Sequence, residues 1–209
     1  ETMAEWWVEG LVERLEKAGD PEVKALLQEA RLYIIPNMNP DGSARGHLRT
    51  NAAGVNLNRE WAAPSLSHSP EVYLTLKAMD EHGCDLALDV HGDEALPYNF
   101  IAGADGIPSW SETQANLQNV FKSAYQHQNG DFQTRYGYPV TPVGKANLGI
   151  CTNALAERFG CLAMTLEMPF KDNADRPNPR EGWSPARCQQ LGGDVIEPLL
   201  ATLTAMDRV

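Results

Sequence analysis

Leu86-Ala87-Leu88-Asp89-Val90-His91-Gly92 is a mostly apolar run that turns polar at its end. It has the pattern of a central strand buried on both faces and emerging at its carboxyl edge. Cys161-Leu162-Ala163-Met164-Thr165-Leu166-Glu167-Met168-Pro169 repeats that pattern, with Glu167 near the polar end. Arg31-Leu32-Tyr33-Ile34-Ile35 is a third β-rich run, stopped by Pro36. Helical patterns separate the three. Thr2-Met3-Ala4-Glu5 has the spacing of a capping box and precedes an apolar stripe at Trp7, Val8, Leu11, Val12 and Leu15. A short helix is expected over 22–30. Ser69-Pro70-Glu71 opens another that runs to His82-Gly83, and a helix start at 109–112 precedes Leu117, Val120, Phe121, Ala124 and Tyr125. Further helical patterns cover 152–159 and the stretch after Ser184-Pro185, the latter interrupted at Pro198. Strands alternating with helices predict an α/β fold: a mixed, largely parallel, twisted sheet with helices on both faces.

The chain has 209 residues, enough for one domain with a core. Seventeen Lys and Arg against 28 Asp and Glu give a net charge of −11, which disfavours nucleic acid and anionic lipid as partners. No stretch approaches the roughly 20 apolar residues of a membrane span. Cys84, Cys151, Cys161 and Cys188 form no C-x-x-C pair and are expected to be reduced, mostly buried thiols of a cytoplasmic protein.

In open α/β sheets functional groups gather beyond the carboxyl ends of the strands. Asn37 to Gly42, His91 to Glu94 and Glu167 all fall at such ends. Singly they read as turn formers, a polar strand cap and a salt-bridged carboxylate. Together they suit a zinc hydrolase, which needs imidazole or carboxylate ligands and a nearby carboxylate to take a proton from water. His91 is then a ligand candidate, with Asp89 or Asp93 available to hold its second nitrogen. Glu167 is a base candidate, since a carboxylate leaving an apolar strand is partly desolvated.

Asn39-Pro40-Asp41-Gly42, Arg49, Gly54-Val55-Asn56-Leu57-Asn58-Arg59-Glu60-Trp61, Asp89-Val90-His91-Gly92 and Thr165-Leu166-Glu167-Met168-Pro169-Phe170 occur in that order. In order and rough spacing they resemble the zinc metallocarboxypeptidases of the carboxypeptidase A type, most closely the cytosolic carboxypeptidase branch. The resemblance implies hydrolysis of a C-terminal peptide bond on one zinc ion, with a peptide or protein C-terminus as partner. Glu1 matches the Glu of the family's His-x-x-Glu motif, so Glu1 and His91 would be metal ligands, and the motif's His would lie three residues before Glu1. The family's upstream strands are also missing, so residues 1–209 are expected to be one catalytic domain without its N-terminal part. Glu167 would be the base and Arg49 would share the oxyanion's charge. Asn58 and Arg59 would bind the terminal carboxylate, for which Arg offers a planar two-toothed fork.

A family tyrosine over the substrate would be Tyr136 or Tyr138. Lys145, Arg135 and Arg158 could favour a terminal Glu or Asp, or be solvated surface cations. Two other functions fit the same residues: a zinc deacylase of N-acyl amino acids, and a non-catalytic module that binds C-termini without metal.

Overall fold

The computed structural model describes residues 2–206. In chain order the elements are α1 (Thr2–Leu15), α2 (Pro21–Glu29), α3 (Pro40–Arg45), a 3-10 turn (Leu57–Arg59), α4 (Pro70–His82), β1 (Leu86–Asp93), β2 (Phe100–Gly103), α5 (Glu112–Gln128), α6 (Cys151–Phe159), β3 (Leu162–Pro169), α7 (Pro185–Gly193) and α8 (Ile196–Met206). The sheet has the order β1-β3-β2, with β1 parallel and β2 antiparallel to β3. This is a mixed α/β fold.

The period-2 alternation of β3 sorts the helices onto the two faces. Leu162, Met164, Leu166 and Met168 enter a core shared with Trp7 and Leu11 of α1, Leu117, Phe121 and Tyr125 of α5, Leu191 of α7 and Ile196 of α8. Cys161 and Ala163 point the other way, into a second core with Val72 and Leu76 of α4, Leu155 of α6, Leu57 and Trp61. β1 divides identically: Leu86, Leu88 and Val90 pack on the first core and Ala87 on the second. The odd-numbered polar residues Asp89, His91, Asp93, Thr165 and Glu167 therefore share the face that carries α6. The register sets His91 beside Glu167 and Asp89 beside Thr165.

Several local expectations are corrected. Arg31–Ile35 belongs to no strand, and Tyr33, Ile34 and Ile35 are exposed. β-rich composition makes a strand only where a partner edge is present, and none pairs with it among the described residues. Tyr33 instead stacks on His82, with ring centroids 5.2 Å apart. Ser69 makes no side-chain capping bond to α4; its hydroxyl accepts the Ser65 amide at 3.1 Å. The Asn39–Gly42 stretch opens a short helix rather than a simple turn. Pro198 does not break the last helix: the chain turns at Asp194–Val195, and Pro198 sits in the first turn of α8, where a missing N–H costs nothing. All four cysteines are free, and Cys84 alone of them is only half-buried.

α1 and α7 cross at backbone contact distance. A Cβ on Gly10 would stand 1.9 Å from the Gln189 carbonyl oxygen, and one on Gly192 would stand 1.9 Å from the Trp7 carbonyl oxygen. The buried Tyr125 hydroxyl ties the crossing to α5, accepting from Trp7 Nε1 at 3.1 Å and donating to the Leu191 carbonyl at 2.7 Å. Gly10→Ala must push the helices apart and should destabilise the fold by about 1–3 kcal/mol, the usual cost of overpacking. Urea unfolding followed by circular dichroism measures this, and an unchanged midpoint would show that the crossing is looser than described.

Candidate active site

The carboxyl ends of β1 and β3 form the floor of the site. Asp89 Oδ2 lies 2.8 Å from His91 Nε2, one strand repeat away on the same face. A carboxylate on one ring nitrogen fixes the imidazole's tautomer and turns the other nitrogen into a donor of lone-pair density. Glu167 is buried at the position paired with His91. Tyr138, from the long loop between α5 and α6, reaches both carboxylates. Its hydroxyl bonds Asp93, and it lies 3.1 Å from Glu167 Oε1.

These contacts shape the local titration. Burial opposes ionisation of Asp93, but the Tyr138 hydroxyl, the Leu96 and Ala95 amides and the Arg49 charge outweigh it and hold its carboxyl below the usual range. Tyr138 is pushed the other way, by burial first and then by Asp93 and Glu167, so its hydroxyl stays protonated at any ordinary pH. Tyr136 is engaged elsewhere, stacked on Tyr98 at 4.5 Å. Of the two tyrosines, Tyr138 is the one at the site.

The walls come from loops tied to this floor. Asn39 Nδ2 donates to the Thr50 carbonyl at 3.0 Å, while its Oδ1 accepts from Gly42 at the start of α3. The Asn39–Gly42 turn thus anchors the loop that carries Arg49. Arg49 approaches Glu94 at 3.9 Å. Asn56 Oδ1 accepts the Asn58 amide at 3.1 Å and shapes the 3-10 turn. Asn58 Oδ1 in turn accepts the Cys151 amide at 2.8 Å, and the Trp61 amide donates to the Gly149 carbonyl at 3.1 Å. Gly149 has to be glycine for this docking, since a Cβ there would stand 2.6 Å from the Arg59 carbonyl oxygen. Arg59 is exposed, and its Nη1 donates to the Asn58 carbonyl at 2.5 Å.

Two cations considered for a basic specificity pocket are committed elsewhere. Arg135 pairs with Asp175 at 2.8 Å, and Arg158, at the far end of α6, pairs with Asp80 at 2.7 Å. Glu1 lies outside the described residues. Among the described residues, no group of three or more His, Cys, Asp or Glu side chains is arranged to hold a metal ion. His91, with Asp89 on its Nε2, nevertheless has the chemistry of an oriented metal-ligating imidazole.

A family model for zinc carboxypeptidases matches residues 1–183. The chain belongs to the zinc carboxypeptidase family. It is 47% identical to a metallo-carboxypeptidase from Pseudomonas aeruginosa, solved in complex with (2-guanidinoethylmercapto)succinic acid, over 99% of this chain and 55% of that one, with a TM-score of 0.96. A metallo-carboxypeptidase from Burkholderia cenocepacia is also 47% identical, covering 100% of this chain and 55% of that one at a TM-score of 0.92. The human cytosolic carboxypeptidase-like protein 5 is 36% identical over 119 residues, 57% of this chain and 13% of that protein. The chain spans about half the length of the bacterial relatives it matches. No helix among the described residues is long and apolar enough to cross a membrane.

Tyr138→Phe removes a donor from Asp93 and Glu167 while keeping the ring, which meets Phe100 edge-on with centroids 5.0 Å apart. The Asp93 carboxyl should then titrate at higher pH, and stability at neutral pH should fall by about 1.5–3 kcal/mol, the worth of a hydrogen bond to a charged group. Carboxyl-carbon NMR titration reads the first effect and chemical denaturation the second; no movement in either would mean that Tyr138 does not hold Asp93.

Proposed function

We propose that this protein is a zinc-dependent metallocarboxypeptidase that removes the C-terminal residue of peptides or proteins in the cytoplasm, and that residues 1–209 are the carboxyl-terminal part of its catalytic domain. The observation that carries this reading is the in-register pairing of His91 with Glu167 at the carboxyl edge of the sheet, with Asn58 and Arg59 tied to the same edge through α6. The Pseudomonas relative's ligand is a carboxylic acid, which is the group that Asn58 and Arg59 are suited to hold.

In this reading His91 and Glu1 hold zinc together with a His three positions before Glu1. Zinc, when bound, supplies the positive charge that acidifies a water and polarises the scissile carbonyl. Glu167 accepts the water's proton on a carboxylate oxygen and passes it to the leaving amine. Its burial on a dry strand removes competing solvent from that exchange. Arg49, exposed on the loop anchored by Asn39, stabilises the oxyanion as charge develops. Arg59 meets the terminal carboxylate with its fork, and Asn58 supplies an amide donor beside it. A preference for terminal Glu or Asp would rest on Lys145, since Arg135 and Arg158 are already paired.

The second reading is a C-terminus-binding module that works without metal, in which Asn58 and Arg59 still recognise a carboxylate. Metal analysis separates the two readings. The 209-residue chain should bind zinc weakly, whereas the protein carrying the upstream His should hold one ion, because losing a ligand removes a large share of a binding energy on the order of 10 kcal/mol. Stoichiometric tight zinc in the 209-residue chain would overturn this ligand set.

In the active protein, Glu167→Gln should keep zinc but lose about 10²- to 10⁴-fold in kcat, the range for a lost general base. Arg59→Ala should raise KM and abolish the preference for a free over an amidated C-terminus. Release of acetate or succinate from N-acylated amino acids, with no C-terminal residue released from peptides, would point to the deacylase instead.

A further inference from the structure

α4 and α6 end alike. Each stops at a glycine with positive φ, Gly83 at 81° and Gly160 at 65°, and each glycine is followed by a cysteine where the chain turns into a strand of the parallel pair. Cys84 thus lies in the link from α4 to β1 and Cys161 in the link from α6 to β3, 77 residues apart in sequence. Their sulfurs stand 3.9 Å from each other. We propose that Cys84 and Cys161 form an oxidation site, which a peroxide closes to a disulfide that staples the starts of the two parallel strands. The proposal stands apart from the carboxypeptidase reading, because Cys161 precedes Glu167 by six residues of extended chain, about 20 Å.

The backbone already holds the two residues within disulfide reach. Leu86 pairs with Leu162, and the Leu162 amide donates to the Asp85 carbonyl at 3.1 Å, which fixes the first rung of the pair. Carried back one step, this register sets Cys161 opposite Asp85 and Cys84 on the diagonal. Strand spacing and rise make that diagonal about 6 Å between Cα atoms, inside the range that a disulfide spans. Cys161 is held from α5 as well, since Gln114 Nε2 donates to its carbonyl at 3.0 Å. The sulfurs then need to approach by only about 2 Å, a movement within the scope of side-chain rotation.

The two thiols differ in the way the reaction requires. Cys84 is half-buried and open to an oxidant, whereas Cys161 is buried in the second core. The contact between the sulfurs lowers Cys84 and, together with burial, raises Cys161, so Cys84 is the one that ionises. The Cys84 thiolate attacks one oxygen of the peroxide. The O–O bond breaks, hydroxide leaves and takes up the proton that Cys84 had released, and Cys84 becomes a sulfenic acid. The Cys161 sulfur then displaces the sulfenic hydroxyl, which departs as water with the Cys161 proton as the S–S bond forms. Over both steps the two thiols lose two electrons and one hydrogen peroxide is reduced to two waters. The product fixes covalently the register that sets His91 beside Glu167.

The intact protein, treated with hydrogen peroxide, alkylated and mapped by peptide mass spectrometry, should show Cys84 joined to Cys161. Closing a 77-residue loop should raise the melting temperature by about 5 °C, and a thiol reductant should reverse both the link and the rise. Cys84→Ser should show no link at Cys161 and should melt at the same temperature with and without peroxide. Should that variant not fold, the mapping and melting of the wild type decide by themselves. Cys84 and Cys161 recovered as free thiols, Cys84 recovered as a sulfinic or sulfonic acid, or either residue joined to a different cysteine would overturn the oxidation site. A Cys84–Cys161 link that leaves the melting temperature unchanged would overturn the stapling.

Discussion

The parallel pairing of β1 with β3 is the constraint on which the rest of the molecule depends. A side-chain period of two means that a one-residue slip in register would send every odd-numbered residue of one strand to the opposite face. His91 and Glu167 would then be on different sides of the sheet, and Leu88 and Val90 would face α6 in place of the polar row. The fully buried even-numbered residues of β3 prevent the slip, because Leu162, Met164, Leu166 and Met168 fill the core against α1, α5, α7 and α8. Hydrophobic burial on one face thereby sets the chemistry available on the other.

The polar face costs stability that the fold recovers by pairing. Thr152 bonds Thr165, Asp89 bonds His91 and Tyr138 bonds Asp93 and Glu167. Each buried polar group without a partner would cost about 1–3 kcal/mol, so a row of five on one face is stable only as a connected set. The same connections give the site its rigidity. Movement of α6 would disturb Asn58 and Thr165 together, which couples the loop that bears Arg59 to the strand that bears Glu167.

Much of this was legible in the sequence, and the residues show where legibility stops. The buried strands and most helices follow from local periodicity, and the polar ends of β1 and β3 pointed to the edge where the structure sets His91 beside Glu167. β2 was missed because four residues, Phe100 to Gly103, carry no alternation long enough to register, and its place is set by pairing with Met164 to Glu167 across some sixty intervening residues. Arg31–Ile35 was over-read for the complementary reason: its composition suits a strand, but pairing belongs to the partner and not to the segment. Asp89 and Asp93 were both available for His91 and share its face, and only the 2.8 Å contact singles out Asp89, while Asp93 turns to Tyr138 and the loop amides. Tyr138 could not be separated from Tyr136 by spacing, since the long loop that holds them takes its shape from Gln133, which bonds the backbone of Arg135 and Tyr136.

Charge shows the same division between what is local and what is summed. A net charge of −11 would by itself repel an anionic peptide end, yet screening limits that field to about 8 Å at physiological salt, so the nearest cations decide. Arg135, Arg158 and Arg187 are held by carboxylates at 2.7 to 2.8 Å, and a guanidinium so committed would have to give up an ion pair before taking a substrate carboxylate. Arg59 is fixed differently, by a hydrogen bond from Nη1 to the Asn58 carbonyl. A backbone oxygen orients the fork without neutralising it. In the proposed role Arg59 keeps its charge, which is the condition under which a two-oxygen anion gains most from a planar donor pair.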